Sequence, residues 1–204
     1  MSFWQTVKRD ILAVRKNDPA THSELEAILA HTPLHAILFH RLIHPLFNAG
    51  IPILPRILSN FNSFLTGIEI HTGAKIGPGF FVDHGAGIVI GETAEIGADC
   101  VLFHKVTLGG TGHLKGKRHP TVGDRVFLGT GATLLGPITV GDDVRIGAET
   151  VIINRDVPSH CTVVGAPGRI VKRDGQRTDE ALRISDYHVI RRAEEEKLAP
   201  DYEI

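Results

Sequence analysis

Asp83-His84, inside the run Phe80-Phe81-Val82-Asp83-His84-Gly85, sets a carboxylate beside an imidazole. Moving an acyl group from a thioester to a hydroxyl requires a base at the hydroxyl, a group that orients the base, and donors for the oxyanion that forms. The dipeptide supplies the first two residue types. Glu69, fifteen positions earlier, is a further carboxylate able to fix the imidazole tautomer and stabilise the imidazolium. Arg118-His119 adds a guanidinium, which matches a carboxylate bidentately, for example that of an amino-acid substrate. Each pair also has a plain structural explanation: a histidine at a chain corner bonded to backbone with Asp83 as a turn residue, and a solvated basic loop beside Lys115 and Lys117. On the residues alone the loop explanation is the stronger for Arg118-His119. His104 and His113 can be combined with His84 or His119 as zinc ligands, but their spacing is irregular and no metal is expected. Cys100 and Cys161 form no CxxC pair and read as reduced packing residues.

These residues need a scaffold, and the chain changes character at Gly67 to provide one. Residues 1–66 read as a helical domain: Thr21 and Glu24 stand at capping-box spacing, Thr32-Pro33 makes a second start, and Ile57, Phe61, Phe64 and Leu65 give an amphipathic helix ending near Gly67. From there aliphatic residues recur every six positions. Ile70, Ile76, Val82 and Ile88 form one register; Ile90, Ile96, Leu102 and Leu108 a second; Val122, Leu128, Leu134, Val140, Ile146 and Ile152 a third. Each hexapeptide predicts one short strand with its aliphatic side chain inside a prism and a small residue turning the corner, three to a triangular coil. Glu69 then falls on the rung next to His84. The solenoid domain spans 67–172 with an excursion loop at 109–121, read as two hexapeptides plus two residues. Gly165-Ala166-Pro167-Gly168-Arg169 closes the coil, and the tail, 173–204, is open between a docked helix and mobile chain.

Composition narrows the function classes. At 204 residues and 42% hydrophobic, the chain suits one core with helical additions. Lys and Arg total 22 against 23 acidic residues, so nothing electrostatic points to nucleic acid or an anionic membrane. The first ten residues lack the apolar stretch of a signal peptide and no run reaches the length of a bilayer span, which makes the cytoplasm the expected location.

The motifs together resemble one family. Ile68-Glu69-Ile70-His71, Asp83-His84-Gly85, Gly91-Glu92-Thr93, Val106-Thr107-Leu108-Gly109-Gly110-Thr111-Gly112, Arg118-His119-Pro120 and Gly165-Ala166-Pro167 look like serine O-acetyltransferase, as do Asp18-Pro19-Ala20, His35 and His40-Arg41 upstream. The resemblance covers nearly the whole chain. It implies a left-handed parallel β-helix, a hand that the repeat itself does not fix, behind an N-terminal α-helical domain. It implies that acetyl-CoA is the co-substrate and L-serine the acceptor. By the same resemblance His84 is the general base and Glu69 its carboxylate partner. Asp18, Asp83, Arg118 and His119 would hold the serine, with Gly110, Thr130, Gly131, Gly147, Ala148, Arg169 and Lys172 along the acetyl-CoA. The family further implies a homotrimer with sites between adjacent chains, a dimer of trimers being the alternative. It also implies feedback inhibition by L-cysteine, and docking of C-terminal Ile204 into O-acetylserine sulfhydrylase. Rival readings are a hexapeptide acetyltransferase acting on homoserine or a sugar, a γ-carbonic-anhydrase-like metal enzyme, and a scaffold without catalysis.

Overall fold

A computed structural model of the protein describes residues 1–112 and 116–186. Four helices precede the coils: α1 (Phe3–Asn17), α2 (Glu24–Ala30), α3 (Thr32–Asn48) and α4 (Leu54–Thr66). Their starts differ in part from the predicted ones. Ser23, not Thr21, caps α2, and the His31 side chain caps α3 by accepting the Leu34 N–H. Thr21 is diverted to Asp18, donating its hydroxyl to that carboxylate at 2.6 Å. As predicted, α4 stops at Gly67, which takes the left-handed conformation at φ 70°.

The solenoid follows coil by coil. The first coil holds β1 (Glu69–Ile70), β2 (Lys75–Ile76) and β3 (Phe81–Asp83); the second β4 (Val89–Ile90), β5 (Glu95–Ile96) and β6 (Val101–Phe103); the third β7 (Thr107–Gly109), β8 (Thr121–Val122) and β9 (Phe127–Leu128). The fourth holds β10 (Thr133–Leu135), β11 (Thr139–Val140) and β12 (Arg145–Ile146), and the fifth β13 (Val151–Ile153), β14 (Arg155–Asp156) and β15 (Cys161–Val164). Parallel pairing stacks them into three faces, β1-β4-β7-β10-β13, β2-β5-β8-β11 and β3-β6-β9-β12-β15. The repeat's aliphatic residues, Ile70, Ile90, Leu108, Leu134 and Ile152 on the first face, run up one buried column. Burying each such side chain contributes about 1.5–3 kcal/mol, which makes the column the main stabilising feature of the coils.

Two irregularities bear on function. Val82 pairs with Leu102, twenty residues on, whereas Ile90 pairs with Leu108, eighteen on, so two extra residues enlarge the corner between the third and first faces. His84 and Gly85 lie in that enlargement, with φ 61° and 70°. The expected register is therefore corrected: the shift falls between Val82 and Ile88, and Ile88 belongs with Ile90. The second irregularity is the excursion. Its ends, β7 and β8, are on successive faces, so it is one hexapeptide step carrying eight extra residues rather than two hexapeptides plus two.

Polar groups of the helices cover the first coil's open edge, which would otherwise invite strand pairing. His44 Nδ1 bonds the Thr72 carbonyl at 2.8 Å, His40 Nε2 the Ala74 carbonyl at 3.1 Å, and Arg41 the Ile76 and Gly77 carbonyls. Asp10, fully buried, accepts the Gly79 and Phe80 N–H groups and pairs with Arg41 at 3.1 Å. At the other end β16 (Arg169–Arg173) and β17 (Gln176–Ala181) fold back antiparallel, and β18 (Arg183–Ile184) pairs with β14. The segment left open between helix and mobile chain thus continues as β structure through Ile184. Ile204 and His113 lie outside the described residues.

Candidate active site

The enlarged corner gathers one set of predicted residues. His84 is exposed, with Nε2 3.6 Å from Asp83 Oδ1. Asp18, just past the end of α1, accepts the Ala20 N–H and the Thr21 hydroxyl, and these bonds hold its carboxyl below the usual range. His31 and His84 both act on Asp18 electrostatically, and His31 also feels Asp83. Desolvation lowers the His31 pKa and keeps that ring neutral, while its Nδ1 is occupied by the Leu34 N–H. Two carboxylates, one exposed imidazole and one neutral imidazole therefore share this corner. Glu69 is exposed on β1, one residue from Ile68, whose side chain lies beneath Gly85. Among the described residues no hydrogen bond joins it to His84, and it acts electrostatically on His71.

The second set sits at the other edge of the first face, where the chain passes from β4 to β5. His119 Nδ1 accepts the Thr93 N–H at 3.2 Å, so the neutral ring carries its proton on Nε2. Burial pushes the His119 pKa down to about 4. The Arg118 and His119 N–H groups both donate to the Thr93 hydroxyl, at 3.0 and 3.1 Å. Arg118 Nη2 meets Glu92 Oε2 at 2.5 Å, which holds the Glu92 carboxyl below its ordinary range against the opposing pull of burial. The imidazole fills the space beside Gly91, where any Cβ would overlap it. The returning limb of the excursion is thus pinned, not a free basic loop. A cavity of ≈ 340 Å³ lined in part by Glu92, Thr93 and Lys117 adjoins it.

Residues predicted for acetyl-CoA divide as well. Backbone bonds from Lys105 to Ala86, Gly131 to His104 and Glu149 to Thr130 stack Ala86, His104, Thr130 and Ala148 along the corner that carries His84. Gly131 and Gly147 are part of the same ridge, and Cβ atoms there would meet the Glu149 carboxylate and the Val164 side chain. Small residues therefore keep this edge low enough for an extended ligand to lie on it. Gly110 is exposed beside Arg118 and His119 instead. Arg169 pairs with Asp179 at 2.6 Å, and Lys172 is exposed on β16. A cavity of ≈ 720 Å³ near β14 and β17 touches none of these residues, so its size carries no weight beside the chemistry at the two corners. Both cysteines are buried, and desolvation pushes the Cys100 thiol up to about 11, far from a thiolate nucleophile. Among the described residues no three metal-ligating side chains converge.

Residues 119–154 match the bacterial transferase hexapeptide (six repeats) family. Serine acetyltransferase of Bacillus subtilis is 50% identical over 184 residues, 90% of this chain and 84% of that protein. The chain belongs to the serine acetyltransferase family. The crystal structure of the Neisseria gonorrhoeae serine acetyltransferase in complex with serine superposes with a TM-score of 0.79 at 38% identity, over 83% of this chain and 69% of that one. A serine acetyltransferase in complex with cysteine gives 0.81 at 41%, over 84% and 66%. The architecture is that of the serine acetyltransferases, a left-handed parallel β-helix behind an N-terminal helical domain, and the chain is an acyltransferase.

Several residues of these corners carry little signal in the sequence. The motif Gly91-Glu92-Thr93 assigns no role to Glu92 or Thr93, yet they hold Arg118 and His119. For His31 the available signal is its place just before Thr32-Pro33, at a helix start. His104, irregularly spaced for a metal ligand, follows His84 by one twenty-residue coil and therefore stacks beside it.

Proposed function

We propose that the chain transfers the acetyl group of acetyl-CoA to the L-serine hydroxyl, giving O-acetyl-L-serine and coenzyme A, the first step from serine towards cysteine. The observation that carries this reading is the sorting of charge. Asp18, Asp83 and His84 make one corner anionic and proton-accepting, while Arg118 and neutral His119 make the next corner a carboxylate receiver. Among the described residues only Nη2 of the Arg118 guanidinium is committed to Glu92, which leaves donors for a second carboxylate. Serine carries the complementary groups: ammonium for Asp18 and Asp83, carboxylate for Arg118, hydroxyl for His84.

One face of the prism separates the two corners within a chain, so the site is completed by packing the prisms of a trimer side by side, corner against corner. The apolar face of α4 supports association: Ile57, Phe61, Phe64 and Leu65 are exposed, Phe64 at 85%. Acetyl-CoA lies along the ridge of Thr130, Gly131, Gly147 and Ala148 towards Gly110 of the neighbouring chain, its phosphates near Lys172 and Arg169. The solvent-exposed pair of Arg169 with Asp179 gives way readily to a phosphate. His84, oriented by Glu69, removes the hydroxyl proton as the oxygen attacks the thioester carbonyl. The tetrahedral oxyanion collapses, and His84 returns the proton to the departing thiolate. No acyl-enzyme is needed.

Serine, bound in a solved relative, and cysteine, bound in another, support L-serine as acceptor and L-cysteine as an inhibitor at the same site. The tail ending in Asp201-Tyr202-Glu203-Ile204 is proposed, on the family resemblance, to bind O-acetylserine sulfhydrylase; unchanged affinity after deleting Ile204 overturns that part. The deciding assay follows coenzyme A release from acetyl-CoA with serine, homoserine and sugars as acceptors. Serine-dependent release is expected, and its absence overturns the reading. His84→Ala should keep the fold and lower kcat by about 10²–10⁴.

A further inference from the structure

His31 stands where α1, α3 and β3 come together. Its ring lies against that of Phe81, with centroids 5.7 Å apart, and Phe81 is buried with Ala13, Val14 and Leu34 between the helices and the coil. Successive side chains of a strand point to opposite faces and Val82 enters the prism, so Asp83 projects on the helix side together with Phe81. Asp18 approaches from the end of α1, and both carboxylates act electrostatically on His31, Asp18 the more strongly. The cap fixes the tautomer: Nδ1 accepts the Leu34 N–H at 3.1 Å, so the neutral ring carries its proton on Nε2. No hydrogen bond joins that Nε2–H to a described residue. Each Asp18 oxygen accepts one bond, from the Ala20 N–H or the Thr21 hydroxyl, which leaves a lone pair open on both. A substrate that enters this corner displaces water, and a half-buried donor left unpaired there is costly. Resting on the acetyl-transfer reading above, we propose that His31 is a positioning residue for amine recognition: its Nε2–H, shared between the Asp18 and Asp83 carboxylates, aims their remaining lone pairs at the serine ammonium. His31 itself neither touches serine nor moves a proton. It sets the preference for an acceptor with an amino group over one with a hydroxyl in its place, such as glycerate.

Two variants separate this role from the helix cap. His31→Asn keeps an N-cap acceptor for Leu34 but is too short to bring an N–H to the position of Nε2. His31→Gln reaches that position and is the poorer cap. A hydrogen bond to a charged group contributes about tenfold to a hundredfold in affinity. The expected result for Asn is a serine KM raised about tenfold with kcat within about twofold of the parent, and Gln should recover most of that loss. Melting temperatures should fall in the reverse order, Asn above Gln. The inhibition constant of glycerate against serine should stay within about twofold of the parent in both variants, because glycerate has no ammonium for the carboxylates to hold. A parental serine KM in Asn overturns the proposal, as does an equal loss for serine and glycerate, the mark of a general distortion of the corner. A higher serine KM in Gln than in Asn also overturns it, being the order that a cap alone would give. Should neither variant fold, ring-¹⁵N histidine spectra of the parent decide: serine moves the His31 Nε2 signal more than glycerate does, and equal or absent shifts overturn the proposal. An active parent with a parental His31→Asn sinks this inference alone, whereas a parent without serine-dependent coenzyme A release sinks the function reading itself.

Discussion

At the scale of single residues, the site depends on groups whose protonation is set by burial. His119 is kept neutral, with its pKa about 4, because it is enclosed beside Gly91 and its Nδ1 faces the Thr93 N–H, a donor that cannot share a proton with it. Serine affinity should therefore show no inflection from His119 above about pH 5, which a KM profile between pH 5.5 and 8.5 checks. Gly91 is the packing counterpart of this ring. Gly91→Ala puts a methyl into the imidazole, an overpacking that costs about 1–3 kcal/mol. The expected result is a raised serine KM with a lowered melting temperature, while His84-dependent chemistry on bound substrate changes little. An unchanged KM would mean that His119 does not contact serine.

At the scale of elements, the helices matter because they finish the first coil. Asp10 and Arg41 form a buried pair that also binds backbone on both sides, and breaking such a pair from one side costs about 3–5 kcal/mol. Asp10→Ala should loosen the α1 packing on β3, seen as loss of hydrogen-exchange protection at Gly79 and Phe80. His40 adds a pH dependence. Desolvation, with the neighbouring His44, Arg41 and His71, depresses its pKa to about 3, below the unfolded value of 6.5. The folded state then binds the proton less well, so the stability from neutral His40 is complete above pH 6.5 and is lost as pH falls from there towards 3. At pH 5 the loss amounts to about 2 kcal/mol. His40→Gln, which keeps a donor for the Ala74 carbonyl, should reduce by that amount the destabilisation between pH 7.5 and 5.0 in urea unfolding. Asp10 works in the opposite sense: burial raises its pKa above 3.8, so acidification through that lower range relieves a cost.

At the scale of the whole molecule, the two corners make a prediction that no single-chain site would. If His84 of one chain faces Arg118 of its neighbour, His84→Ala and Arg118→Ala are each inactive, yet trimers assembled from an equal mixture contain some intact sites. Random assembly leaves about one interface in four with both native residues, so coexpression should restore about a quarter of parental activity. Activity no higher than that of the separate variants would place both residues in one chain's site. Among the described residues no helix is long and apolar enough to cross a membrane. The exposed α4 face is better matched by another protein surface than by solvent.

The hexapeptide period determined the solenoid by itself, because a side chain entering a narrow prism constrains its own position and the next, which is local information. Asp83-His84 and Arg118-His119 stand out by residue type, whereas the ridge residues are assigned only through the family resemblance. Which of them meet was not local. The two residues added at the His84 corner and the eight in the excursion decide how every later residue stacks, and the sequence does not say into which corner an insertion is absorbed. Only the stacked coils put His104 against His84, Thr93 under both Arg118 and His119, and a whole face between the Asp83-His84 and Arg118-His119 corners. That the helices can cover one end of the coils is legible, but the bonds that fix them there are hidden for the same reason. Asp10, His40, Arg41 and His44 bond to backbone groups of the first coil, and a backbone carbonyl has no residue identity for a sequence to show.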